Sequence, residues 1–432
     1  MRTIDLRGKR TSASELARVL PRAVIDIDAA LAQVLPIIDA VATRGEAALV
    51  EFAQKFDGVD PRPIRVSTEE LESALENLDA NLRAAIEVAI ERVRKVAKAN
   101  LPTSTEATLA AGAVVSQRWV PVDSVGLYVP GGKAVYPSSV VMNVVPAQVS
   151  GVPRLALITP PQKDFGGRPH PTVLATAALL GVTEVYAMGG PAGIAALAHG
   201  VESLELEPVQ LVTGPGNNYV TAAKRALRGK IGIDSEAGAT EIMIIADDSA
   251  NFEYVSADLI SQAEHDESAA AVLVTTSESL AAQVARKVGE LAEATTHTDR
   301  VKTALAGQQS AIVLVDDLSA AAEVANAYAT EHLELQTERN DWLLSKITNA
   351  GAIFVGDYSP VSLGDYMAGS NHVLPTGSQA KFGSGLGVHS FLRAQQVINY
   401  SASALAEIAV EIDLFARAEG LPAHGDAIKT RD

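Results

Sequence analysis

Apolar positions in the first hundred residues recur at helical spacing. Two runs carry the pattern: Leu31, Val34, Leu35, Ile38, Val41 and Leu49, then Leu71, Leu75, Leu78, Leu82, Ile86 and Ile90. Spacings of three and four residues place such side chains on one face of a helix. Ser67, followed by Thr68-Glu69-Glu70, predicts where the second helix starts, because a hydroxyl can cap free amides and early acidic residues suit the helix dipole. We therefore predict long amphipathic helices up to about Lys98.

From Val120 the pattern changes to short β-branched runs that end in glycine or proline, with helical stretches between them. The first series of predicted strands covers residues 124–129, 154–159, 184–188 and 209–213, and the second covers 241–246, 270–275, 311–315 and 352–355. Strands that alternate with helices indicate βαβ crossovers and parallel sheets. We predict an α/β fold: two tandem Rossmann-like parallel-sheet domains, a helical N-terminal segment, and a small C-terminal arm with two helical pieces after Gly387.

Composition narrows the functional classes. The 432 residues suffice for two to three domains of about 150 residues, and 47% hydrophobic with only 4% aromatic residues suits helices packed on parallel sheets. A net charge of -17 argues against binding a nucleic acid backbone. The chain contains no cysteine, so disulfides, thiolate metal sites and thiol catalysis are excluded, and any aldehyde oxidation must use water.

The apolar stretches are too short for a membrane segment. The N-terminus lacks the apolar core of a signal peptide, and the longest apolar stretch, residues 140–152, is interrupted by Pro146. We therefore expect a cytoplasmic protein that binds no membrane.

Three strands of the first series run into glycine-rich corners. These corners are Tyr128-Val129-Pro130-Gly131-Gly132-Lys133, Gly189-Gly190-Pro191-Ala192-Gly193 and Gly214-Pro215-Gly216-Asn217-Asn218-Tyr219. Glycine lets a ligand approach the backbone, and a helix N-terminus behind it favours phosphate. Each corner alone could be a tight turn, but the three together favour a dinucleotide, although none matches Gly-x-Gly-x-x-Gly.

Four polar stretches of the C-terminal half hold four of the eight histidines. They are Gln262 to His265, Glu331-His332, Asp365 to His372, and Glu419 to His424. Gathered in one place, they would supply nitrogen and oxygen ligands for zinc and a general base, as a metal-dependent enzyme requires. Left apart, they would be ordinary surface groups or, near the C-terminus, part of a frayed tail.

Local patterns refine this picture. A predicted helix over 254–265 places Gln262 and His265 three residues apart on one face. They are either a pair of metal ligands or part of a solvated helix face. Glu331-His332 lies between a predicted helix over 321–329 and the alternating residues 333–335. The pair is either a base whose pKa is tuned by its neighbour or an ordinary surface pair. Residues 364–372 are predicted as one loop, in which Asp365 and His372 are either ligands or turn residues.

Taken in order, these segments resemble the histidinol dehydrogenases, the family that performs the last two oxidations of histidine biosynthesis. The resemblance spans nearly the whole chain. Its most specific segments are Ser261-Gln262-Ala263-Glu264-His265, Glu331-His332-Leu333-Glu334, Ser370-Asn371-His372-Val373-Leu374-Pro375-Thr376 and Leu421-Pro422-Ala423-His424, with Tyr128-Val129-Pro130-Gly131-Gly132 and Gly214-Pro215-Gly216-Asn217 upstream.

The resemblance implies a homodimer with one zinc ion per subunit and L-histidinol as substrate. The implied metal ligands are Gln262, His265, Asp365 and His424, the last reaching in from the partner chain. His332 is implied as the base that acts on the alcohol while hydride passes to NAD. Glu331 is implied to help water add to the aldehyde, which a second NAD then oxidises to L-histidine.

The same resemblance assigns the remaining contacts. Tyr128 and Asn217 are implied to bind the cofactor. The implied substrate contacts are Thr240, Gln262, His265, His332, Asp365, His372, Glu419 and His424. The expected organisation is an N-terminal segment (1–22), a metal and substrate domain (23–127 and 240–386), an NAD-binding domain (128–239) and a C-terminal dimerisation arm (387–432).

Two positions depart from the usual family pattern. Gly190-Pro191-Ala192-Gly193 stands where Gly-Ala-Gln-Ala is common, so Ala192 removes an amide that would contact the cofactor. One lost hydrogen bond costs on the order of 1 kcal/mol, or about fivefold to tenfold in affinity. Thr240 stands where serine is frequent and keeps the hydroxyl, so we expect a small effect.

Three other functions compete with this interpretation. The first is a paralogous NAD-dependent dehydrogenase of another amino alcohol or diol, which turnover of L-histidinol would distinguish. The second is a zinc hydrolase in which Glu331 or His332 activates water, which NADH formation would exclude. The third is a metal-binding structural protein without turnover.

Overall fold

The computed structural model describes residues 1–9, 12–20, 22–23, 27–131, 134–236 and 238–431. Strands and helices alternate through most of the chain, and two of the three sheets are parallel, which confirms the predicted α/β fold. The strands are β1 (Arg2–Asp5), β2 (Thr105–Ala110), β3 (Ala113–Pro121), β4 (Ser124–Tyr128), β5 (Arg154–Thr159), β6 (Glu184–Ala187), β7 (Leu211–Thr213), β8 (Gly232–Ile233), β9 (Glu241–Ala246), β10 (Ala270–Thr275), β11 (Ala311–Leu314), β12 (His332–Gln336), β13 (Ala352–Val355) and β14 (Leu392–Tyr400).

The helices fill the connections. They are α1 (Ala13–Val19), α2 (Ile27–Arg44), α3 (Glu46–Phe52), α4 (Thr68–Glu76), α5 (Ala80–Ala99), α6 (Pro137–Val149), α7 (Pro171–Leu179), α8 (Gly190–His199), α9 (Asn218–Leu227), α10 (Phe252–Ala263), α11 (Glu278–Ala294), α12 (Thr298–Ala306), α13 (Leu318–Tyr328), α14 (Asn340–Leu344), α15 (Val361–Tyr366), α16 (Ala402–Ala406), α17 (Ala409–Ala418) and α18 (Pro422–Lys429).

The N-terminal helices follow the predicted apolar spacing. Helix α2 buries Val34, Ile38 and Val41 against helices α8 and α9. The Ser67 hydroxyl accepts a hydrogen bond from the Glu70 amide at 3.2 Å, so helix α4 starts where its capping sequence predicts. Strand β1 was not predicted; it pairs in parallel with β11, at the edge of a sheet formed by the second strand series.

The four strands of the first predicted series, joined by the short unpredicted strand β8, form a five-stranded parallel sheet in the order β6-β5-β4-β7-β8. From β4 the chain adds β5 and β6 on one side and then returns to add β7 and β8 on the other. All five residues of β4 are buried, as expected for a strand covered on both faces. In open sheets of this kind, ligands bind at the carboxyl ends of the strands where the order reverses, here between β4 and β7.

The second predicted series, together with β1 and β12, which were not part of it, repeats this order in a six-stranded parallel sheet, β1-β11-β10-β9-β12-β13. Strand β9 takes the central place that β4 holds in the first sheet, and β12 lies beside it after the reversal. Two apolar layers cover the faces of this sheet, one built on α10, α11 and α12 and the other on α1 and α13. The prediction of two similar α/β layers in tandem is confirmed.

A three-stranded antiparallel sheet, β14-β3-β2, joins the C-terminal arm to the body. The arm contains β14 and three helices, α16 to α18, rather than the two helical pieces predicted. This sheet was not predicted because β2 and β14 are largely exposed and β3 is half-buried along its length, so that none of the three shows a clear burial alternation. Within the described part of the chain, no helix combines the length and apolar character needed to cross a membrane.

Candidate active site

The candidate site lies between opposite edges of the two parallel sheets. Strands β4 and β7 end at one side of it, whereas β9 and β12 begin at the other, at Glu241 and His332. Hydrogen bonds cross between the two sides. His372 Nε2 lies 3.3 Å from Ser139 Oγ at the start of α6, and the Gly238 amide donates to Thr376 Oγ1 at 2.5 Å.

His332 is the first residue of β12 and is almost fully buried. Its Nδ1 lies 3.1 Å from the main-chain oxygen of Glu241. A carbonyl oxygen can only accept, so Nδ1 carries the proton and Nε2 keeps its lone pair. Among the described residues Nε2 has no hydrogen-bond partner. Burial lowers the pKa of His332, so the ring is neutral near pH 7 and its free nitrogen can accept a proton.

Glu331 precedes β12 and is buried beside His332. Its Oε2 accepts hydrogen bonds from the Thr240 hydroxyl at 2.5 Å and from the Glu241 amide at 2.9 Å, and lies 3.5 Å from His332 Nδ1. Burial raises the pKa of Glu331 to about 7 despite these bonds. The carboxyl can therefore exchange a proton near neutral pH, which suits a general acid or base.

Thr240 and Gln262 extend this hydrogen-bond network. Gln262 Nε2 donates to Thr240 Oγ1 at 2.7 Å, and the Thr240 hydroxyl in turn donates to Glu331 Oε2. Because the amide nitrogen of Gln262 is already hydrogen-bonded, its amide oxygen is the atom left to bind a ligand. This oxygen is buried and has no partner among the described residues. The predicted helix over 254–265 is observed as α10, and His265 follows its end in a turn.

His265 and Asp365 face each other across a gap. His265 Nε2 and Asp365 Oδ2 are 3.9 Å apart, too far for a hydrogen bond. The prediction of one loop over 364–372 is wrong at its start, because Asp365 lies in helix α15. Gly364 was interpreted there as a loop residue, but a Cβ at that position would lie 2.6 Å from the Phe354 ring, so this glycine serves helix packing.

His372 closes the same side of the site. Its Nδ1 donates to the Asp365 main-chain oxygen at 3.1 Å, which leaves Nε2 to accept from the Ser139 hydroxyl at 3.3 Å. Burial lowers the pKa of His372, so this ring too is neutral near pH 7. Ser139 was not a predicted site residue, since nothing in the apolar stretch around it indicates a polar contact.

Glu241 is the main residue of the site that the sequence did not indicate. It is buried beside Glu331 and pairs with Arg22 at 2.9 Å. Burial raises the pKa of Glu241 to about 7, while Arg22 acts in the opposite direction. The Arg22 guanidinium also stacks 4.1 Å from the centre of the Tyr328 ring and donates to the Tyr328 main-chain oxygen. These partners are too far apart in sequence for any local pattern to join them.

Glu419 and His424 do not join the other predicted site residues in one chain. Glu419 caps the end of α17, His424 lies in α18, and both are exposed on the arm. Within the described ranges, no three His, Asp or Glu side chains approach closely enough to hold a metal ion. His265 and Asp365 face each other, and Gln262 joins the neighbouring hydrogen-bond network of Thr240 and Glu331.

The glycine corners line the carboxyl edge of the five-stranded sheet. Tyr128 ends β4, and burial raises its pKa to about 12 although the Gly190 amide hydrogen-bonds to it. Gly214 follows β7 with φ of +118°, and a Cβ there would lie 2.0 Å from the Tyr128 main-chain oxygen. Only glycine permits this approach. Gly132 and Lys133 of the first corner lie outside the described residues.

Two features fix the corner after β7. Asn217 caps α9, with its Oδ1 accepting from the amides of Tyr219 at 3.0 Å and Val220 at 3.1 Å. Behind the corner, buried Lys224 pairs with Asp234; Lys224 donates to the Gly214 oxygen at 3.1 Å, and Asp234 accepts from the Gly214 amide at 2.8 Å. This buried clamp was missed because the two residues look like ordinary surface charges in sequence.

Ala192, the position that departs from the family pattern, lies in the first turn of α8. It is 6% exposed and belongs to the apolar cluster under the five-stranded sheet. The adjoining Gly193 has no room for a side chain, since a Cβ would lie 2.8 Å from Ile158. The second glycine corner is therefore closely packed and presents backbone to the cleft.

Known proteins resemble this chain in both sequence and structure. The family model described as histidinol dehydrogenase matches residues 20–432. The chain is 57% identical to the histidinol dehydrogenase of Leifsonia xyli subsp. xyli, over 100% of this chain and 99% of that protein. It is 55% identical to that of Mycolicibacterium smegmatis, over 100% and 98%. The crystal structure of histidinol dehydrogenase from Elizabethkingia anophelis superposes with a TM-score of 0.93 at 32% identity, covering 100% and 98% of the two chains.

Proposed function

The chain belongs to the histidinol dehydrogenase family, a family of oxidoreductases, and we propose that it oxidises L-histidinol through L-histidinal to L-histidine with two NAD. The observation that carries the proposal is the buried, unpartnered Nε2 of His332 beside Glu331, with the unpartnered oxygen of Gln262 on the same network. A base, a second proton-exchanging group and an unpartnered amide oxygen thus lie in one cluster.

His332 removes the alcohol proton in this proposal. Its Nδ1 proton is held by the Glu241 main-chain oxygen, so the tautomer is fixed before substrate arrives. Burial keeps the ring neutral, and the imidazolium formed after proton transfer lies 3.5 Å from the Glu331 carboxyl, which stabilises the new charge. Nε2 is therefore the base, and Nδ1 holds the ring in place.

Glu331 acts on water in the second oxidation. A carboxyl with a pKa of about 7 can be ionised when it takes a proton from water that adds to the aldehyde. The Thr240 hydroxyl and the Glu241 amide fix its Oε2. The chain contains no cysteine, so water must be the nucleophile that converts aldehyde to acid.

Gln262, His265 and Asp365 would hold one zinc ion per subunit, with His424 of the partner subunit as the fourth ligand. Gln262 offers a buried oxygen without a partner, and the gap between His265 and Asp365 separates two groups that zinc commonly binds. When bound, zinc supplies a fixed positive charge that orients the imidazole and amine of the substrate. The residues present therefore fit the metal.

The glycine corners would hold NAD, which when bound supplies the hydride acceptor for both oxidations. Tyr128 ends β4, and Asn217 caps α9 just after β7, where the sheet order reverses and a helix N-terminus favours phosphate. His372 and Thr240 would contact substrate from within the chain, and Glu419 from the partner.

The proposed homodimer rests on the exposed arm. Helix α17 leaves Val410, Leu414 and Phe415 between 64% and 73% exposed, an apolar stripe that a second copy of the chain would cover. Glu419 and His424 follow directly after this stripe. Docking of the arm on a partner would thus bring both residues to the partner's incomplete site, so an isolated subunit should be inactive.

The proposal is tested by NADH production from L-histidinol at slightly alkaline pH, with added zinc and with a metal-stripped control. Two NADH per histidinol consumed, lost with the metal and restored by zinc, are expected. One NADH with release of aldehyde would contradict the second oxidation. No NADH from a metal-loaded dimer would contradict the substrate and favour another amino alcohol or diol.

A further inference from the structure

A second pair of carboxyls lies close to the site without forming part of it. Asp258 on α10 and Glu334 on β12 are hydrogen-bonded to each other, and Glu334 is only 1% exposed. Gln336 Nε2 reaches both, at 2.9 Å from Glu334 Oε2 and 3.4 Å from Asp258 Oδ2. The Val361 amide donates to Glu334 Oε1 at 3.0 Å. Three polar groups, one each from α10, β12 and α15, therefore meet at Glu334.

Each of those elements also carries a residue of the proposed site, one helical turn or one strand alternation from the contact at Glu334. Asp258 precedes Gln262 by one helical turn, so both project from the same side of α10. Glu334 follows His332 by two residues, on the same face of β12. Val361 starts α15 one turn before Asp365. The contacts at Glu334 thus connect the helix of Gln262, the strand of His332 and the helix of Asp365.

The chemistry of this contact is unusual. In the described part of the chain, neither Asp258 nor Glu334 has an ion-pair partner. Across α10, β12 and α15, the titratable group that acts on each of them is the carboxyl of its partner in this pair. Two buried carboxylates in contact repel each other, whereas a carboxyl and a carboxylate sharing one proton form a short, strong hydrogen bond. Burial raises the pKa of both Asp258 and Glu334, which agrees with retention of that proton.

We propose that Asp258 and Glu334 form a proton-sharing joint that fixes α10, β12 and α15 so that Gln262, His265, His332 and Asp365 converge on one metal and substrate site. These are positioning residues, since neither contacts the proposed ligands. The inference rests on the proposed metal site and adds the reason why three separate elements keep their ligand atoms in register. It also gives a role to Glu334, a buried polar side chain that faces no substrate.

The test uses the metal-stripped full-length protein and titration with cobalt(II), whose visible absorption reports ligand geometry. Asp258→Ala removes the partner of Glu334 at a half-buried position that the fold can tolerate. Supporting groups of this kind affect metal affinity about tenfold to a hundredfold, so we expect cobalt affinity to fall at least about tenfold, with a changed spectrum. Asp258→Asn and Glu334→Gln each keep a hydrogen bond between the two side chains and should stay within about threefold of the wild type.

A matched control is Glu253→Ala, which removes an exposed carboxylate from the same helix. It should leave both affinity and spectrum unchanged. Equal cobalt affinity and spectra in Asp258→Ala and the wild type would overturn the joint, as would an equal loss in Asp258→Ala and Asp258→Asn. A wild-type protein that takes up no cobalt would instead refute the proposed metal site, and the joint with it.

Discussion

The two parallel sheets share one strand order but present opposite edges to the cleft. The five-stranded sheet offers the carboxyl ends of β4 and β7, where glycine corners expose backbone. The six-stranded sheet offers the amino ends of β9 and β12, where Thr240, Glu331 and His332 cluster as side chains. The same topology thus supplies a backbone surface at one edge and an acid-base site at the other.

Helix polarity explains this division. Helices leave the carboxyl edge of a parallel sheet by their N-termini and return to the amino edge by their C-termini. The N-terminal end of α9 therefore faces the glycine corner after β7, where the dipole favours phosphate. The C-terminal end of α10 faces Gln262 and His265, where the dipole favours a cation. The proposed dinucleotide and metal each lie at the edge whose field suits its charge.

The largest loss of activity is expected from a change at the amino edge of the six-stranded sheet. Replacing His332 by Ala removes the group with the free Nε2, and a positioned base contributes about a hundredfold to ten-thousandfold. We expect kcat for histidinol oxidation to fall roughly a thousandfold, with zinc content and the KM for NAD close to wild type. Steady-state kinetics and metal analysis measure these quantities. A variant that retained its rate would show that another group takes the proton.

Glu331→Gln should separate the two oxidations. With the proton-exchanging carboxyl gone, aldehyde oxidation should slow by about a hundredfold, while alcohol oxidation, which relies on His332, slows much less. Rapid-quench analysis with histidinol and with histidinal gives the two rates. Equal losses in both steps would contradict the division of roles between Glu331 and His332.

The same substitution should change how stability depends on pH. The pKa of Glu331 is raised from 4.5 to about 7 in the folded chain, so the folded state binds its proton more tightly than the unfolded state. Wild-type stability therefore falls as pH rises from 4.5 through 7, by at most about 3 kcal/mol from this group. The glutamine variant should be the more stable apoprotein at pH 8 and gain little at pH 5, as denaturant unfolding would measure. A larger gain at pH 5 would reverse the sign and reject the raised pKa.

A change at the carboxyl edge should affect cofactor binding and leave the chemistry intact. Asn217→Ala should raise the KM for NAD about tenfold through loss of a hydrogen bond, with kcat within about twofold of the wild type. It also removes the cap of α9, at a cost of about 1 kcal/mol in stability. Asn217→Ser is the control, because serine keeps the cap and loses the amide. A large fall in kcat in the serine variant would mean that this edge takes part in catalysis.

The two edges also differ in how far the sequence could predict them. The strands of both series and the glycine corners are local patterns, and most of their bounds agree with the structure within two residues. Strand β1 and the sheet of β2, β3 and β14 depend on partners distant in sequence, which local periodicity does not identify. The corner clamp of Lys224 and Asp234 was missed for lack of a distinctive motif.

At the amino edge, Gln262, His265, Glu331 and Asp365 were predicted, and the structure brings them together. Their partners Arg22, Ser139 and Glu241 were missed, because each reaches the site only after distant elements pack. Whether Glu419 and His424 complete the site is a property of two chains and stays a prediction.

The smallest effect on activity is expected from removing one methyl group at the amino edge. Thr240 donates to Glu331 and accepts from Gln262, and both bonds use its hydroxyl. Thr240→Ser keeps that oxygen and removes one methyl, so kcat and the KM for histidinol should stay within about twofold of the wild type. Thr240→Val has the same shape without the hydroxyl: it removes the acceptor of the buried Gln262 amide, at about 1–3 kcal/mol, and leaves Glu331 Oε2 with the Glu241 amide alone. Steady-state kinetics of the pair would separate the two contributions. If serine impaired the enzyme as much as valine, the packing of the methyl group would matter as much as the hydrogen bonds for holding Glu331 and Gln262 in place.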